Sequence, residues 1–277
     1  MRDFPFHQVD VFTTQPLKGN PLAVVLNADP LTPQEMAEFA AWTNLSETTF
    51  LLQPTTPDAD YRVRIFTPST ELPFAGHPTL GTCHVWLATG GQPKNAEILQ
   101  QCGAGLIRIR RDGNRLAFAA PPLRRSGPLD PALLARIAQI LRIDPSAITR
   151  ANWADNGPGW AAVMLSSRAE LLALKPDFSA LSGLNLGIIA PSPGEEFQFE
   201  VRAFAPEAGV PEDPVTGSLN AALAQWLFAD NLAPSESYIV AQGTNLNRAG
   251  RIHIARDGAT IWVGGNTTTR ITGSVAL

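Results

Sequence analysis

Short apolar and β-branched runs, broken every few residues by Pro, Gly, Asn or Asp, dominate this chain. They predict strands over 7–13, 22–27, 49–53, 61–67, 106–110 and 115–119 in the first half. In the second half the same signal predicts strands over 161–165, 187–190, 197–204, 237–241, 251–255 and 260–263. Helix starts are equally plain. Thr32-Pro33-Gln34-Glu35 combines a capping box with Pro at the first helical position, and Met36, Phe39, Ala40 and Thr43 then share a face. Asp130-Pro131 opens a second helix with Leu134, Ile137, Ile140 and Leu141 in one stripe, and Ser167-Arg168-Ala169-Glu170 opens a third. Two more helical stretches, 78–89 and 214–229, carry Leu, Ala, Thr, Trp and Val on nearly every face. A helix apolar all round belongs inside a structure. The expected fold class is therefore α+β: two pseudo-symmetric domains, each a curled, mostly antiparallel sheet or open barrel around a central apolar helix. Strand and helix do not alternate regularly enough for a doubly wound parallel sheet.

The duplication is written in the residues themselves. Arg62-Val63-Arg64-Ile65-Phe66-Thr67-Pro68 recurs as Glu200-Val201-Arg202-Ala203-Phe204-Ala205-Pro206. Each copy runs on to a residue-Pro step, His77-Pro78 and Asp213-Pro214, then to a Gly and an apolar run ending at Trp86 or Trp226. Further matches keep the same order, among them Ala23-Val24-Val25-Leu26 with Ala162-Val163-Met164-Leu165, and Ile107-Arg108-Ile109 with Ile252-His253-Ile254. Ordered matches of this kind imply an internal repeat. The Pro- and Arg-rich stretch 119–128 is the natural linker, which gives domains over 1–122 and 123–277, with a final strand over 266–277 free to return to the first half. The site is expected in a cleft between the domains, built from equivalent loops.

Composition removes several function classes. A net charge of −4 and the lack of a Lys/Arg cluster leave no electrostatic footprint for nucleic acid. No apolar run reaches the ~20 residues that span a bilayer. Cys83 and Cys102 are the only cysteines and form no secreted framework, so a reduced cytoplasm is the expected location. His and Cys spacing gives no metal site, and no phosphate loop, dinucleotide fingerprint or nucleophile elbow occurs, so neither metal nor cofactor is expected.

Two constellations remain. The first is the pair of residue-Pro steps at the apolar helices, because a helix N-terminus presents N–H groups and partial positive charge to an anion. In the second copy those groups belong to Val215, Thr216, Gly217 and Ser218, and in the first to the Ala75-Gly76-His77-Pro78-Thr79 stretch. The plain alternative for Asp213 is an N-cap worth ~1 kcal/mol. The second is the polar loop Asn44-Leu45-Ser46-Glu47-Thr48-Thr49-Phe50, whose copy lies near 182–187 and holds nothing acidic. An exposed loop Glu is the commonest kind, but a carboxylate held near a cleft is a candidate general acid/base. Cys83 sits inside an apolar helix and Cys102 in a turn, which disfavours a two-thiol mechanism.

The segments 44–50, 66–81 and 211–218, with Gly19-Asn20-Pro21, Gln242-Gly243 and Gly264-Gly265, resemble the PhzF family, the phenazine-biosynthesis-like isomerases of the diaminopimelate epimerase superfamily. The resemblance covers nearly the whole chain. It implies a diaminopimelate epimerase-like fold and cofactor-free proton transfer on an unsaturated cyclic amino acid, with Glu47 shuttling the proton. His77 and Asp213 match the family's polar pair around the substrate. Gly76, Gly217 and Ser218 match its ligand contacts, with Thr216 beside them, and Ser46 neighbours the catalytic carboxylate. The positions held by the paired cysteines of related epimerases read here as Ala75 and Pro214. One departure bears on the substrate: many members carry Ala-His where this chain has Leu219-Asn220, a stretch expected to face the ligand.

The reading that follows is a small-molecule isomerase acting on a carboxylate-bearing substrate, in which Glu47, His77 and Asp213 carry the chemistry. Nucleic acid and membrane are not expected partners, and a homodimer is compatible with it. The alternatives are an epimerase, racemase or other enzyme that re-uses the cleft, and a metabolite-binding protein without turnover.

Overall fold

The computed structural model describes residues 2–206 and 210–277. The first half runs β1 (Asp3–Val11), β2 (Asn20–Val25), α1 (Pro33–Thr43), β3 (Glu47–Leu52), β4 (Tyr61–Phe66), β5 (Glu71–Leu72), α2 (Gly76–Ala88), β6 (Ile98–Cys102), β7 (Gly105–Asp112) and β8 (Arg115–Ala119). The second half begins with β9 (Arg125–Gly127), α3 (Pro131–Leu141), β10 (Arg150–Asp155), β11 (Trp160–Met164) and α4 (Arg168–Ala173). It continues through β12 (Asn185–Pro191), β13 (Phe199–Ala205), β14 (Val210–Asp213), α5 (Gly217–Ala229), β15 (Ser237–Gln242), β16 (Gly250–Asp257) and β17 (Thr260–Gly265), and β18 (Thr267–Ala276) ends the chain. Two compact units result. One holds 2–119 with 264–277, and the other holds 120–263. The C-terminal strand thus lies in the first unit, where β18 runs antiparallel to β1 along most of its length.

In the first unit hydrogen bonding orders the strands β18-β1-β2-β3-β4-β6-β7-β8. Only β2–β3 and β4–β6 are parallel, because each pair is joined by a helical crossover, through α1 and α2. Helix α2 touches β18, β1, β2 and β3 at one end of this row and β8 at the other, so the sheet curls around it. The contact is close. A Cβ on Gly81 would lie 2.5 Å from a methyl of Leu22 and would push the helix off β2. Successive residues of β3 face opposite ways. Thr49 accepts from Thr82 of α2, while Phe50 joins Met36 and Phe39 of α1 in an outer core.

The second unit repeats this wiring pairing for pairing. β10–β11 is antiparallel, β11–β12 parallel, β12–β13 antiparallel and β13–β15 parallel, and β9 stands beside β10 as β18 stands beside β1. Helix α5 is buried along almost its whole length and packs on β10 and β16. On the outer face Ile137, Ile140 and Leu141 of α3 and Leu171 of α4 join Leu186 and Ile188 of β12 in one core. Burying each such side chain contributes about 1.5–3 kcal/mol.

Most boundaries differ from the sequence reading by one to three residues. The expected final strand over 266–277 is present as β18, one residue shorter at each end. Of the strands absent from the sequence reading β6 is informative, since it contains Gln100 and Gln101 and is specified by its neighbours. The Gln100 side chain accepts from Tyr61 and donates to Thr79, so a polar residue is fully satisfied in the core. Cys102 closes β6 and does not sit in a turn. The capping box at Thr32 is present in full, with Glu35 bonded back to Thr32. No helix among the described residues is long and apolar enough to cross a membrane.

Candidate active site

In the first unit three side chains from three elements converge. Asn44, the C-cap of α1, adopts a left-handed conformation with φ 53°, which ends the helix sharply and feeds 45–46 into β3. Glu47 is therefore the first residue of β3, half-buried, with Ser46 immediately before it. Gly76 and His77 open α2, both buried. His77 Nε2 lies 3.5 Å from Glu47 Oε2, and Asn20, the first residue of β2, places its Nδ2 3.3 Å from His77 Nδ1. Burial pushes the His77 imidazole down to about 3, against a smaller opposing hydrogen bond to the Pro21 backbone, so the ring is neutral at physiological pH.

In the second unit the chemistry gathers just before α5. Asp213 ends β14, Thr216 is the N-cap residue of α5, and Gly217 and Ser218 are its first two residues. Thr216 Oγ1 donates to Asp213 Oδ2 at 2.6 Å. The Trp160 indole donates to Ser218 Oγ at 3.2 Å, and Asn156 donates to the Ser218 carbonyl at 2.9 Å. Neither α2 nor α5 has a side-chain cap on its first turn, so each leaves its N-terminal dipole to an incoming acceptor.

Strand register fixes which residues of the two units correspond. Phe66 pairs with Thr48 as its match Phe204 pairs with Leu186, so the counterpart of Glu47 is Asn185, an amide. The β2 match moves by one residue, with Leu22 at Trp160 and not Ala161. Ile65 pairs with Leu72 as Ala203 pairs with Asp213, so Asp213 corresponds to Leu72. The two central helices start at Gly76 and Gly217, which makes His77 the counterpart of Ser218. This corrects the equivalence of His77-Pro78 with Asp213-Pro214. Pro78 is the third helical residue, and Pro214 lies ahead of its helix. The connection from strand to helix spans 67–75 in the first unit and 206–216 in the second, and that extra length carries a second residue-Pro step out of register. Asp213 is accordingly not an N-cap, and the position matching Ala75 is Thr216, not Pro214. Leu219 and Asn220 also differ from expectation. They lie inside the first turns of α5, fully buried, with Leu219 against Gly187 of β12, where a Cβ would come within 2.5 Å.

Cys83 is buried in α2, and desolvation pushes its thiol up to about 12, which leaves it protonated and inert. Among the described residues no group of three or more metal-ligating side chains comes together. Sequence reasoning gave no role to Asn20, which reaches His77, or to Gln242, which reaches Thr216 and Asp213. Each is a polar residue at the end of a strand and carries no local signal of its partners.

Residues 9–276 match the family described as phenazine biosynthesis-like protein (PhzC-PhzF). The chain is 36% identical to "Antisense-enhancing sequence 1" of Schizosaccharomyces pombe, over 99% of each chain. It is 34% identical to "Trans-2,3-dihydro-3-hydroxyanthranilate isomerase" of Pseudomonas aeruginosa, over 91% of this chain and 90% of that one. Its fold resembles the crystal structure of a phenazine biosynthesis protein of the PhzF family from Bacillus anthracis, with a TM-score of 0.84, 22% identity and full coverage of both chains.

Proposed function

This chain is an isomerase of the phenazine biosynthesis-like, PhzF, family, and we propose that it relocates a proton on a small unsaturated cyclic amino or carboxylic acid, with Glu47 as the acid/base. The Glu47 carboxylate takes a proton from a saturated ring carbon at the end of the substrate's conjugated system, and that C–H bond breaks. The electron pair shifts the double bond along the conjugated system. The Glu47 carboxyl proton exchanges with solvent, and Glu47 then delivers a proton to the far carbon, where a new C–H bond forms and the carboxylate is regenerated. Acid/base chemistry of this kind draws on side chains alone. A positioned proton shuttle contributes about 10²–10⁴-fold, so orientation of the substrate must supply much of the rest.

The observation that carries the reading is the setting of Glu47. It stands 3.5 Å from an imidazole that burial keeps neutral, at a position where the repeated half holds Asn185. The fold is satisfied by an amide there, so a carboxylate in the first copy answers to something other than structure. A neutral His77 supplies a hydrogen bond without a competing positive charge. Asp213 and Thr216 hold polar substituents of the substrate, and the N–H groups of Gly217 and Ser218 receive its carboxylate and the charge that develops on it. A single carboxylate without a second base at the corresponding position favours proton relocation over a two-base racemisation.

The test is turnover in deuterated water of trans-2,3-dihydro-3-hydroxyanthranilate, the substrate in the name of the Pseudomonas relative, and of other cyclic unsaturated amino acids. The expected product carries deuterium at the carbon that gains a proton. A wild-type protein that binds such acids and never exchanges a carbon-bound proton would favour the metabolite-binding alternative.

A further inference from the structure

Gln242, at the end of β15, is buried, and all four of its hydrogen-bonding positions are used. Its Oε1 accepts from the Thr216 backbone N–H at 3.0 Å and from Asn220 Nδ2 at 2.8 Å. Its Nε2 donates to the Asp213 carbonyl at 3.0 Å and to Thr216 Oγ1 at 2.8 Å. The orientation of this amide leaves no choice. A backbone N–H can only donate and a backbone carbonyl can only accept, so oxygen must face Thr216 N and nitrogen must face Asp213 O. Asn220 is locked the same way, since its Nδ2 also donates to the Thr216 carbonyl at 2.8 Å.

The consequence falls on Thr216. Because Gln242 donates into its hydroxyl oxygen, the hydroxyl proton must point elsewhere, and Asp213 Oδ2 is the acceptor at 2.6 Å. The repeated half keeps only part of this: Gln100 of β6 donates to Thr79 at 2.9 Å, but no hydroxyl–carboxylate pair stands beside it. Register and helix position put Leu72 where Asp213 stands, Ala75 at Thr216, Thr79 at Asn220 and Cys102 at Gln242. Thr79 still bonds the Ala75 carbonyl as Asn220 bonds that of Thr216. Both halves thus hold a strand glutamine bonded to this helix residue and a bond to the N-cap carbonyl. The pairing of the Thr216 hydroxyl with Gln242 and Asp213 is surplus to that shared plan.

We propose that Gln242 is a positioning residue: it turns the Thr216 hydroxyl onto Asp213 and so fixes the Asp213 carboxylate as an aimed acceptor for a donor group, amino or hydroxyl, of the substrate. The relay stands on its own geometry, and only its kinetic consequence rests on the isomerase reading above. A short hydroxyl–carboxylate bond slows exchange of the proton with water, so Thr216 should give a slowly exchanging hydroxyl resonance, correlated with its side-chain carbons.

The experiment records that resonance in the wild-type protein and in Gln242→Glu, Gln242→Met, Thr216→Ser and Thr216→Val. In Gln242→Glu a carboxylate oxygen replaces the donor and captures the hydroxyl proton. In Gln242→Met the hydroxyl is free to rotate, and this variant serves if the charged one fails to fold. The resonance should be present in the wild type, retained as the serine hydroxyl in Thr216→Ser, absent in Thr216→Val, and lost or displaced in both Gln242 variants. With trans-2,3-dihydro-3-hydroxyanthranilate, Gln242→Glu should raise KM about tenfold with kcat within about threefold, the pattern of lost substrate positioning. Thr216→Val should do the same, and the double variant should be no worse than either, since both act through one hydroxyl. A wild-type protein without the resonance, a resonance unmoved in the folded Gln242 variants, or an unchanged KM would overturn the relay. A wild-type protein inactive on this acid would count against the proposed function alone, and the resonance would still decide the relay.

Discussion

The starts of α2 and α5 share one backbone plan and hold different chemistry. Both helices are buried, both begin with Gly and both lack a side-chain cap. Around α2 stand Leu72, Ala75 and Cys102, with His77 in its first turn beside Glu47. Around α5 stand Asp213, Thr216, Asn220 and Gln242, bonded to one another. The duplicated frame is thus a control for function. What both halves hold serves the fold, and what one half holds alone is a candidate for the chemistry.

The same comparison separates two ion pairs that look alike in sequence. Arg64 grips Glu71 through two 2.7 Å bonds and lies over Phe66, and Arg202 grips Glu212 through two 2.8 Å bonds and lies over Phe204. The second pair is buried, with side-chain exposures of 5% and 8%, against 25% and 41% for the first. Arg202 also donates to the carbonyls of Leu171 and Leu174 and so ties β13 to the end of α4. Equal geometry in unequal surroundings should give unequal energies.

The largest expected effect is on the histidine that only the first half carries. The folded His77 ring is held well below the ordinary histidine value, so the unfolded chain takes up a proton first as pH falls. Stability attached to this group is full above the unfolded value of 6.5 and is lost as pH drops from there towards 3, by several kcal/mol over the whole interval. Denaturant titrations at a series of pH values should show that fall, and His77→Gln should flatten it. The His77 ring proton should also keep a constant chemical shift between about pH 5 and pH 8, where an ordinary histidine titrates. A midpoint inside that range would contradict the buried, neutral ring.

Next in size is Arg202→Ala. It strands the Glu212 charge in a dry place and should cost about 3–5 kcal/mol, whereas Arg64→Ala should cost under about 1 kcal/mol. Equal losses in the two denaturation curves would mean that burial does not separate these pairs. The smallest effect is Cys83→Ala, a truncation inside α2 expected to cost about 1 kcal/mol and to leave turnover in place. Loss of carbon-bound proton exchange in that folded variant would bring thiol chemistry back.

Much of the fold was legible because it is local. Alternation located the hairpin strands, Thr32-Pro33 located α1, and apolar residues on every face marked the two central helices. Register between the halves was legible along β4 and β7, was one residue out at β2, and failed at the helices, because 206–216 outgrows 67–75 and a residue-Pro step offered a false match. Strand β6 escaped notice because its polar residue Gln100 is satisfied by distant partners, Tyr61 and Thr79. At the site, Glu47 could be singled out from the sequence because its copy holds nothing acidic. Asn20 and Gln242 entered only as part of the resemblance and without a role, since their meaning lies in bonds to residues 57 and 26 positions away.

The central claim is that Glu47 moves the proton and that the fold does not need a carboxylate there. Glu47→Gln, the amide its counterpart Asn185 already exemplifies, tests both parts at once. The account predicts an unfolding transition close to wild type, with incorporation of deuterium from solvent into trans-2,3-dihydro-3-hydroxyanthranilate reduced by about 10²–10⁴-fold. A stable Glu47→Gln protein that incorporates deuterium at the wild-type rate would contradict it.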